Sequence, residues 1–452
     1  MATKICIING SPKGESSITF QTVKYIEAIF QENEYYVIHA SHFIKTIEKD
    51  FSSTLEVLKD ADIFLFAYPV YTFLVPSQLH RFIELMKASG EDFSSKAFCQ
   101  ISTSKHFYDI TAHTFIADNC TDMKIKNLGS LSSDMDDLLN IKGQKNAEQF
   151  MDLVLFRYKN NLTAPMFALQ HRTEPSEPFP VYKKCFQSEQ QSSNHQVCIV
   201  CDLKNDDKSL KNMIEDFIAV SPFKTTIVNL SEFNFQGGCT GCLNCTISGK
   251  CFWKDGFSDL LKYNIHVCDS IIFAFTVDNH SMGSLFKTFD DRQFYNGHRP
   301  LTTGKPTGYI VNGKLDSEPN LRTLIEARTE VSGNFLAGIA TDTESIESLS
   351  KSLLYALDNK IKFPSTFWGE GGMRIFRDLI YIMQGLMEKD HKFYKSNGFY
   401  DSLPTKHKFT IMKIKFLGAL LKNKTLLKKK PNMLKEGMLL PYEKIINNAQ
   451  KH

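Results

Sequence analysis

The sequence predicts an α/β protein in which two doubly wound parallel sheets follow one another along the chain and a helical extension completes it. Two observations support this prediction. Short apolar runs alternate with helix-length amphipathic segments through most of the 452 residues, and this alternation is typical of parallel sheets covered by helices on both faces. The second half of the chain also repeats the order of the first half, which indicates an old duplication.

The first half contains five apolar runs in strict alternation with five amphipathic segments, which indicates a flavodoxin-like unit with a five-stranded sheet. The predicted strands cover residues 4–9, 35–39, 62–68, 96–102 and 124–129. The predicted helices cover residues 17–32, 52–59, 76–87, 109–119 and 144–160.

The second half predicts another flavodoxin-like unit with the same order of elements. Its strands are predicted at 196–201, 225–230, 269–275, 306–311 and 334–340, and its helices at 208–219, 256–264, 284–291, 319–331 and 343–359. The repeat is also visible in the residues themselves. Residues 66–70 align with residues 273–277, and on the same register Ser77 meets Ser284.

These patterns predict three domains. Residues 1–170 form the first flavodoxin-like domain and residues 195–362 form the second, with a linker rich in proline, serine and glutamine between them. Residues 363–452 lack strand alternation and are predicted to form a basic helical extension.

Composition argues against several classes of protein. The net charge of +3 is too small to indicate nucleic-acid binding. No apolar run reaches the roughly 18–20 residues of a membrane span, and the chain starts in a strand rather than in a secretion signal. We therefore expect a cytoplasmic protein. In that compartment the eleven cysteines suit metal or redox chemistry better than disulfides.

The most informative motif of the first half is NGSPKGESSIT at residues 9–19, which follows the first strand and opens the first helix. A helix N-terminus offers free N–H groups and the positive end of a dipole, so it can hold a phosphate group. Ser11, Ser17 and Thr19 add hydroxyl donors, and Lys13 adds a positive charge. The alternative is a hydroxyl-rich helix cap without a ligand.

This loop, together with PVYTFLVPSQL at residues 69–79, resembles the NADPH-dependent FMN reductase family. The resemblance covers most of residues 1–160 and implies a flavodoxin-like fold, bound FMN, and NAD(P)H as the hydride donor. It implies that the FMN phosphate is held by Ser11, Lys13, Ser17, Ile18 and Thr19, and that the flavin ring is flanked by Pro69, Val70, Tyr71 and Phe73.

The segment after the fourth strand departs from this resemblance. The family often has a glycine-rich turn there, whereas this chain has Ser104, Lys105 and His106. We count Ser104 and His106 among the candidate FMN-binding residues, because Lys105 or His106 could stabilise the reduced ring. The alternative is that both side chains are solvated in the loop.

No Gly-x-Gly-x-x-Gly motif follows any predicted strand, so a separate Rossmann site for the nicotinamide is not expected. The pyridine nucleotide would then stack on the flavin itself. These inferences predict an NAD(P)H-dependent flavoprotein oxidoreductase that reduces a small acceptor such as a quinone or a free flavin. The alternative is a non-enzymatic electron carrier or redox sensor. We name no acid–base catalyst.

The second half contains four closely spaced cysteines, Cys239, Cys242, Cys245 and Cys251. Ferredoxin-type runs with similarly short gaps hold a [4Fe–4S] cluster, whereas structural zinc usually takes two cysteine pairs separated by a longer loop. Zinc and unoccupied, redox-active thiols remain the alternatives. The position of the motif after the second strand resembles that in the iron–sulfur flavoproteins, which implies electron transfer between a cluster and FMN.

The second unit differs from the first at its own phosphate loop. Residues 201–207 read CDLKNDD, and the three aspartates would repel a phosphate. We therefore expect FMN in the first unit and the cysteine-bound group in the second. Such a chain would be a pseudo-dimer, and a homodimer of whole chains is left open.

The extension is strongly basic between residues 402 and 435, where ten lysines occur without a single acid. The simpler interpretation is that these lysines lie on a solvated face of a helix. Contact with an anionic membrane surface is the alternative, because the same segment contains an apolar run at residues 416–421.

Overall fold

The computed structural model describes residues 2–165, 181–186, 192–242, 244–245, 249–362, 364–403, 407–421 and 433–450. Most of the predicted linker, residues 172–178 and 187–191, lies outside these ranges. Two compact units are present: unit 1 comprises Met1–His171, Gly238–Gly241 and Asn423–His452, and unit 2 comprises Arg172–Gly237 and Cys242–Lys422. The domain boundaries predicted from the sequence stay a prediction, but two later segments join the first unit.

Unit 1 contains a five-stranded sheet in the order β2-β1-β3-β4-β5, in which all neighbouring strands are parallel. The strands are β1 (Lys4–Asn9), β2 (Glu34–Ile38), β3 (Ile63–Pro69), β4 (Ala97–Ser104) and β5 (Lys126–Asp134). The helices are α1 (Ile18–Ile29), α2 (Ile44–Ile47), α3 (Ser52–Asp60), α4 (Ser77–Ala88), α5 (Asp109–Asp122) and α6 (Ile141–Lys159). This strand order is that of flavodoxin, and it confirms the predicted fold.

The apolar runs become central strands because helices cover both faces of the sheet, so inward and outward side chains alike are removed from water. Ile5 and Ile7 of β1 pack with Phe20 and Val23 of α1 in one core, and all four are buried. Such burial contributes about 1.5–3 kcal/mol for each large side chain. The core therefore fixes α1, and with it the loop that joins β1 to α1.

Unit 2 repeats this architecture with the sheet order β10-β9-β8-β6-β7, again with parallel neighbours. The strands are β6 (Gln196–Cys201), β7 (Lys224–Asn229), β8 (Ser270–Thr276), β9 (Pro306–Asn312) and β10 (Phe335–Ala340). The helices are α7 (Lys208–Val220), α8 (Phe257–Leu260), α9 (Gly283–Arg292), α10 (Pro319–Val331) and α11 (Thr343–Asp358).

The internal duplication extends to single hydrogen bonds. In unit 1 the N–H of Gly10 donates to the Ala67 carbonyl, and in unit 2 the N–H of Asp202 donates to the Ala274 carbonyl. A tight turn follows the central strand in both units, at residues 71–74 and again at residues 278–281. The alignment of residues 66–70 with residues 273–277 makes Ala67 equivalent to Ala274, and on the same register it makes the two turns equivalent.

The C-terminal part is helical, as predicted, and its helices belong to both units. They are α12 (Phe367–Ile382), α13 (Glu388–Ser396), α14 (Lys408–Leu421) and α15 (Met433–Ala449). In unit 1, Tyr442 and Ile446 of α15 join the core that contains α1, and the Tyr442 hydroxyl donates to the Met135 carbonyl at 2.6 Å. In unit 2, Ile380 and Tyr394 form a small core of their own.

Candidate functional site

The candidate site of unit 1 lies where β1 and β3 end beside one another. In an open doubly wound sheet, ligands bind outside the carboxyl ends of the strands, at the point where the strand order reverses. Residues 10–19 follow β1 and residues 70–76 follow β3, so the topology brings the two predicted flavin loops to this point.

The loop after β1 is held by side chains that donate to its carbonyl groups. Asn9 Nδ2 donates to Gly14 O (3.1 Å), Ser41 Oγ to Gly10 O (2.8 Å) and His42 Nδ1 to Pro12 O (3.0 Å). With these carbonyls satisfied from behind, the loop is preorganised to direct N–H groups toward a ligand. Asn9 opens the motif at residues 9–19, but sequence reasoning missed Ser41 and His42, because they come from the loop after β2, which carries no signal of its own.

The N-terminus of α1 has the properties of an anion site. Ser17 is the N-cap residue, yet its side chain makes no capping hydrogen bond, so the first N–H groups of the helix stay available to a ligand. Ser11, Ser17 and Thr19 are all buried, and the Thr19 hydroxyl has no hydrogen-bond partner in the described part of the chain. A buried hydroxyl without a partner is costly, and a phosphate oxygen would satisfy it. These residues therefore fit the phosphate of FMN.

Two glycines allow the loop to follow this path. A Cβ atom at Gly10 would lie 2.4 Å from Leu79 Cδ2 and 3.0 Å from Tyr68 Cβ, so only glycine lets the loop approach this closely. Gly14 has a φ of +57°, a left-handed conformation that L side chains rarely adopt. The shape of the predicted phosphate loop therefore depends on these two positions.

The loop after β3 contains a strained turn. The N–H groups and carbonyls of Tyr71 and Leu74 bond reciprocally at 2.7 and 3.0 Å, and the two residues between them, Thr72 and Phe73, have φ values of +43° and +67°. Both central residues of a type I′ turn need a positive φ, which is uncommon for a β-branched or bulky residue. Strain of this kind is concentrated at binding sites.

The predicted ring contacts differ in their exposure. Pro69, Val70 and Tyr71 are half-buried, so each keeps surface that a ligand could touch. Phe73 is buried and packs on the Tyr108 ring at 4.4 Å between centroids. Phe73 therefore supports the loop, and contact of these residues with a flavin ring stays a prediction.

The segment after β4 is engaged with β5. Lys105 Nζ lies 2.6 Å from an Asp134 carboxylate oxygen, and His106 Nδ1 lies 3.0 Å from Ser132 Oγ. The Ser104 hydroxyl accepts from the His106 N–H at 2.9 Å, which stabilises the left-handed backbone of His106. Both charge-bearing side chains thus have partners on β5, and flavin contact by Ser104 and His106 stays a prediction.

A buried polar network lies beneath the site. The Tyr68 hydroxyl donates to Gln100 Oε1 at 2.7 Å, Gln100 Nε2 donates to the His113 carbonyl at 3.1 Å, and His113 Nε2 lies 2.8 Å from Ser102 Oγ. Burial lowers the pKa of His113 from 6.5 to about 4. The imidazole is consequently neutral at neutral pH.

Acid is expected to destabilise unit 1 through His113. The unfolded imidazole takes up a proton near pH 6.5 and the folded one near pH 4, so the free energy of unfolding falls as the pH falls through this interval. The full loss approaches about 3 kcal/mol, since one pKa unit corresponds to about 1.4 kcal/mol. Urea unfolding at several pH values, followed by circular dichroism, measures it. His113→Gln should make the free energy of unfolding less dependent on pH. The control His195→Gln, at a partly exposed histidine of unit 2, should not. Equal pH dependence in the two variants would contradict the role assigned to His113.

Unit 2 has a carboxylate where unit 1 has the free helix N-terminus. Asp207 is the N-cap residue of α7, and its side chain accepts from the Leu210 N–H. A cavity of about 330 Å³ beside it is lined by Asp202, Asp206 and Asp278 as well. The protein's own carboxylate therefore occupies the position that a phosphate would take, and the lack of FMN binding by unit 2 stays a prediction.

The four cysteines of the motif differ in their exposure. Cys242 is exposed, the other three are partly exposed, and no disulfide joins them. Among the described residues, which include all four cysteines, no three histidine, cysteine or acidic side chains form a group that could hold a metal. The [4Fe–4S] cluster therefore stays a prediction from the spacing of the cysteines in the sequence.

We call residues 237–255, which contain the four cysteines, the cysteine segment. Its residues Gly238–Gly241 belong to unit 1 and contact both candidate flavin loops. Gln78 Nε2 donates to the Cys239 carbonyl at 3.1 Å. At Gly241, which has a φ of +62°, a Cβ atom would lie 2.2 Å from the Tyr71 hydroxyl and 3.0 Å from Lys13 Cε. Cys239 is therefore held beside the residues that are predicted to bind FMN.

A buried arginine connects the two ends of the cysteine segment within unit 2. Arg292 of α9 donates to the Gly237 carbonyl at 2.8 Å and forms a bidentate pair with Asp255 at 2.8 and 2.9 Å. The side chains of Arg292 and Asp255 are 1% and 3% exposed. Lys287 and Asp291 of the same helix form a second buried pair. These charged residues of α9 thus serve packing within unit 2.

Comparison with known proteins identifies proteins that are similar to parts of this chain. Residues 3–116, which include both candidate flavin loops, match the model of a family described as NADPH-dependent FMN reductase. An iron-sulfur flavoprotein of Archaeoglobus fulgidus is 25% identical over 177 residues, 36% of this chain and 79% of that protein. An iron-sulfur flavoprotein of Clostridioides difficile is 28% identical over 166 residues, 34% of this chain and 70% of that protein. Among solved structures, the Trp repressor binding protein of Bacillus subtilis is 18% identical, with a TM-score of 0.27, over 33% of this chain and 97% of its own.

Proposed function

We propose that this chain, whose residues 3–116 match the model of the NADPH-dependent FMN reductase family, uses FMN to pass electrons from NAD(P)H to a small acceptor such as a quinone or a free flavin. One observation carries the proposal. The loop after β1 combines an uncapped helix N-terminus at Ser17 with the buried, unsatisfied hydroxyl of Thr19. That combination suits a phosphate group better than it suits a ligand-free helix cap.

The roles of the chain's own residues follow from this geometry. The N–H groups at the start of α1, with the hydroxyls of Ser11 and Thr19 and the charge of Lys13, hold the phosphate. Pro69, Val70 and Tyr71, partly exposed at the end of β3, offer surface to the flavin ring. When bound, FMN supplies the redox chemistry, while the protein supplies position and electrostatics.

The pyridine nucleotide needs no site of its own in this proposal. The sequence has no Gly-x-Gly-x-x-Gly motif after a strand, so the nicotinamide would stack on the exposed face of the flavin. The acceptor would use the same space.

The test is an absorbance spectrum and a steady-state assay on the full-length protein. We expect flavin bands, one FMN per chain, and oxidation of NADH or NADPH that depends on an added quinone or flavin. A colourless protein that cannot be reconstituted with FMN would contradict the proposal. Bound flavin that only a protein donor reduces would instead support the electron-carrier alternative.

A second candidate adds an iron–sulfur cluster to this function. Its support is the spacing of Cys239, Cys242, Cys245 and Cys251, together with the contact of Gly238–Gly241 with the flavin loops. Anaerobic purification followed by iron, sulfide and zinc analysis tests it. About four irons and four sulfides per chain, lost in Cys242→Ser but retained in Cys185→Ser, would support a cluster. Flavin without iron, even after reconstitution, would exclude the cluster and favour redox-active thiols.

A further inference from the structure

Helix α14 (Lys408–Leu421) is apolar on two opposite faces. One face, which includes Ile411, Ile414 and Gly418, packs within unit 2. A Cβ atom at Gly418 would lie 2.0 Å from the Gly385 carbonyl oxygen, so two backbones cross closely at this point. This contact fixes the orientation of α14 and leaves the opposite face outward.

The outward face carries three large apolar side chains. Phe409, Met412 and Phe416 are 77%, 61% and 68% exposed. Their spacing of three and four residues places them in one stripe along the helix. The apolar face of a helix is normally buried, but among the described residues nothing covers this stripe.

Positive charge borders the stripe on both sides. With about 100° per residue, Lys408 and Lys415 lie along one edge of the stripe and Lys413 lies along the other. No acidic residue occurs between residues 402 and 435, where ten lysines are found. The face is therefore suited to a partner that is apolar at its centre and anionic around it.

We propose that α14 lies on the surface of an anionic membrane, with Phe409, Met412 and Phe416 inserted among the acyl chains and the lysines against the headgroups. An interfacial helix combines an apolar face with flanking lysines in this manner, and lysines near an anionic surface are attracted to it. None of the described helices has both the length and the apolar character to cross a bilayer. The proposal therefore concerns attachment in the plane of the surface, and it does not depend on the redox function.

Sedimentation of the full-length protein with lipid vesicles tests the proposal. We expect binding to vesicles of phosphatidylcholine containing about a third phosphatidylglycerol, little binding to phosphatidylcholine alone, and loss of binding as salt screens the charges. Absence of binding to the anionic vesicles would overturn the proposal. Equal binding to both lipids would overturn the assigned role of the lysines.

Two variants locate the contact. The double substitution Phe409→Gln with Phe416→Gln should lower vesicle partitioning about tenfold or more, because both side chains contribute apolar area. The matched control is Phe367→Gln on α12, where the phenylalanine is 81% exposed, and it should bind as the parent protein does. Equal binding of all three proteins would overturn the role of α14. Lipid-free self-association that the double substitution abolishes would assign the stripe to a second copy of the chain and overturn the membrane assignment.

Discussion

Substitution of Ser17 by aspartate is expected to abolish FMN binding while leaving the fold intact. Ser17 is the N-cap residue of α1, and Asp207 is the N-cap residue of α7 in the duplicated unit. The aspartate side chain of unit 2 accepts a hydrogen bond from the third N–H of its helix. Ser17→Asp would place an equivalent carboxylate at the N-terminus of α1, where the phosphate is proposed to bind.

The magnitude follows from charge repulsion at short range. Two unit charges 4 Å apart repel by about 4 kcal/mol at an effective dielectric constant of 20, and 4 kcal/mol corresponds to an almost thousandfold loss of affinity. The stability of the protein should change by less than about 0.5 kcal/mol, because serine and aspartate are similar N-cap residues. Fluorescence titration of apoprotein with FMN measures the affinity, and urea unfolding measures the stability.

Unit 2 provides the matched control. Asp207→Ala removes the carboxylate that caps α7, so it should cost about 1 kcal/mol of unfolding free energy and leave the FMN content unchanged. Unaltered FMN affinity in Ser17→Asp would show that the phosphate binds elsewhere, and the assignment of the loop after β1 would then be wrong.

Substitution of Arg292 by methionine is expected to produce the largest loss of stability. Asp255, whose carboxylate is 3% exposed, would lose the partner that neutralises it and, among the described residues, keep backbone N–H donors from Gln236 and Phe257. Removal of one partner of a buried ion pair typically costs 3–5 kcal/mol. The Gly237 carbonyl would also lose its hydrogen bond, so both ends of the cysteine segment should loosen.

The tryptophans allow this loss to be measured in unit 2 alone. Both tryptophans of the chain, Trp253 and Trp368, belong to unit 2, so tryptophan fluorescence in urea follows that unit separately from the flavin. Arg374→Met is the matched control, because Arg374 is 61% exposed and its pair with Glu370 contributes less than about 1 kcal/mol. Replacing Asp255 by leucine in the Arg292→Met background should restore part of the stability. Equal stability of the two methionine variants would contradict the role assigned to Arg292.

Much of the fold was predictable from the sequence because its signals are local. The two parallel sheets and the flanking helices follow from apolar runs such as residues 4–9, and from the amphipathic segments between them. The phosphate loop is local as well, since residues 9–19 contain the glycines, the hydroxyls and the start of the helix together. The carboxylate that caps α7 could likewise be anticipated from the aspartates of residues 201–207.

Other properties depend on residues that are distant in the chain, and only the tertiary structure decided them. Ser41 supports the phosphate loop from another strand, and Lys105 is paired with Asp134 on β5. The cysteine spacing predicted one metal site, but among the described residues no three histidine, cysteine or acidic side chains form a group that could hold a metal. The sequence of helix α14 does not indicate which of its faces is covered. The close approach of the two backbones at Gly385 and Gly418 fixes the orientation of the helix. Sequence patterns record local periodicity, whereas partners, burial and exposure depend on which surfaces long-range packing brings together.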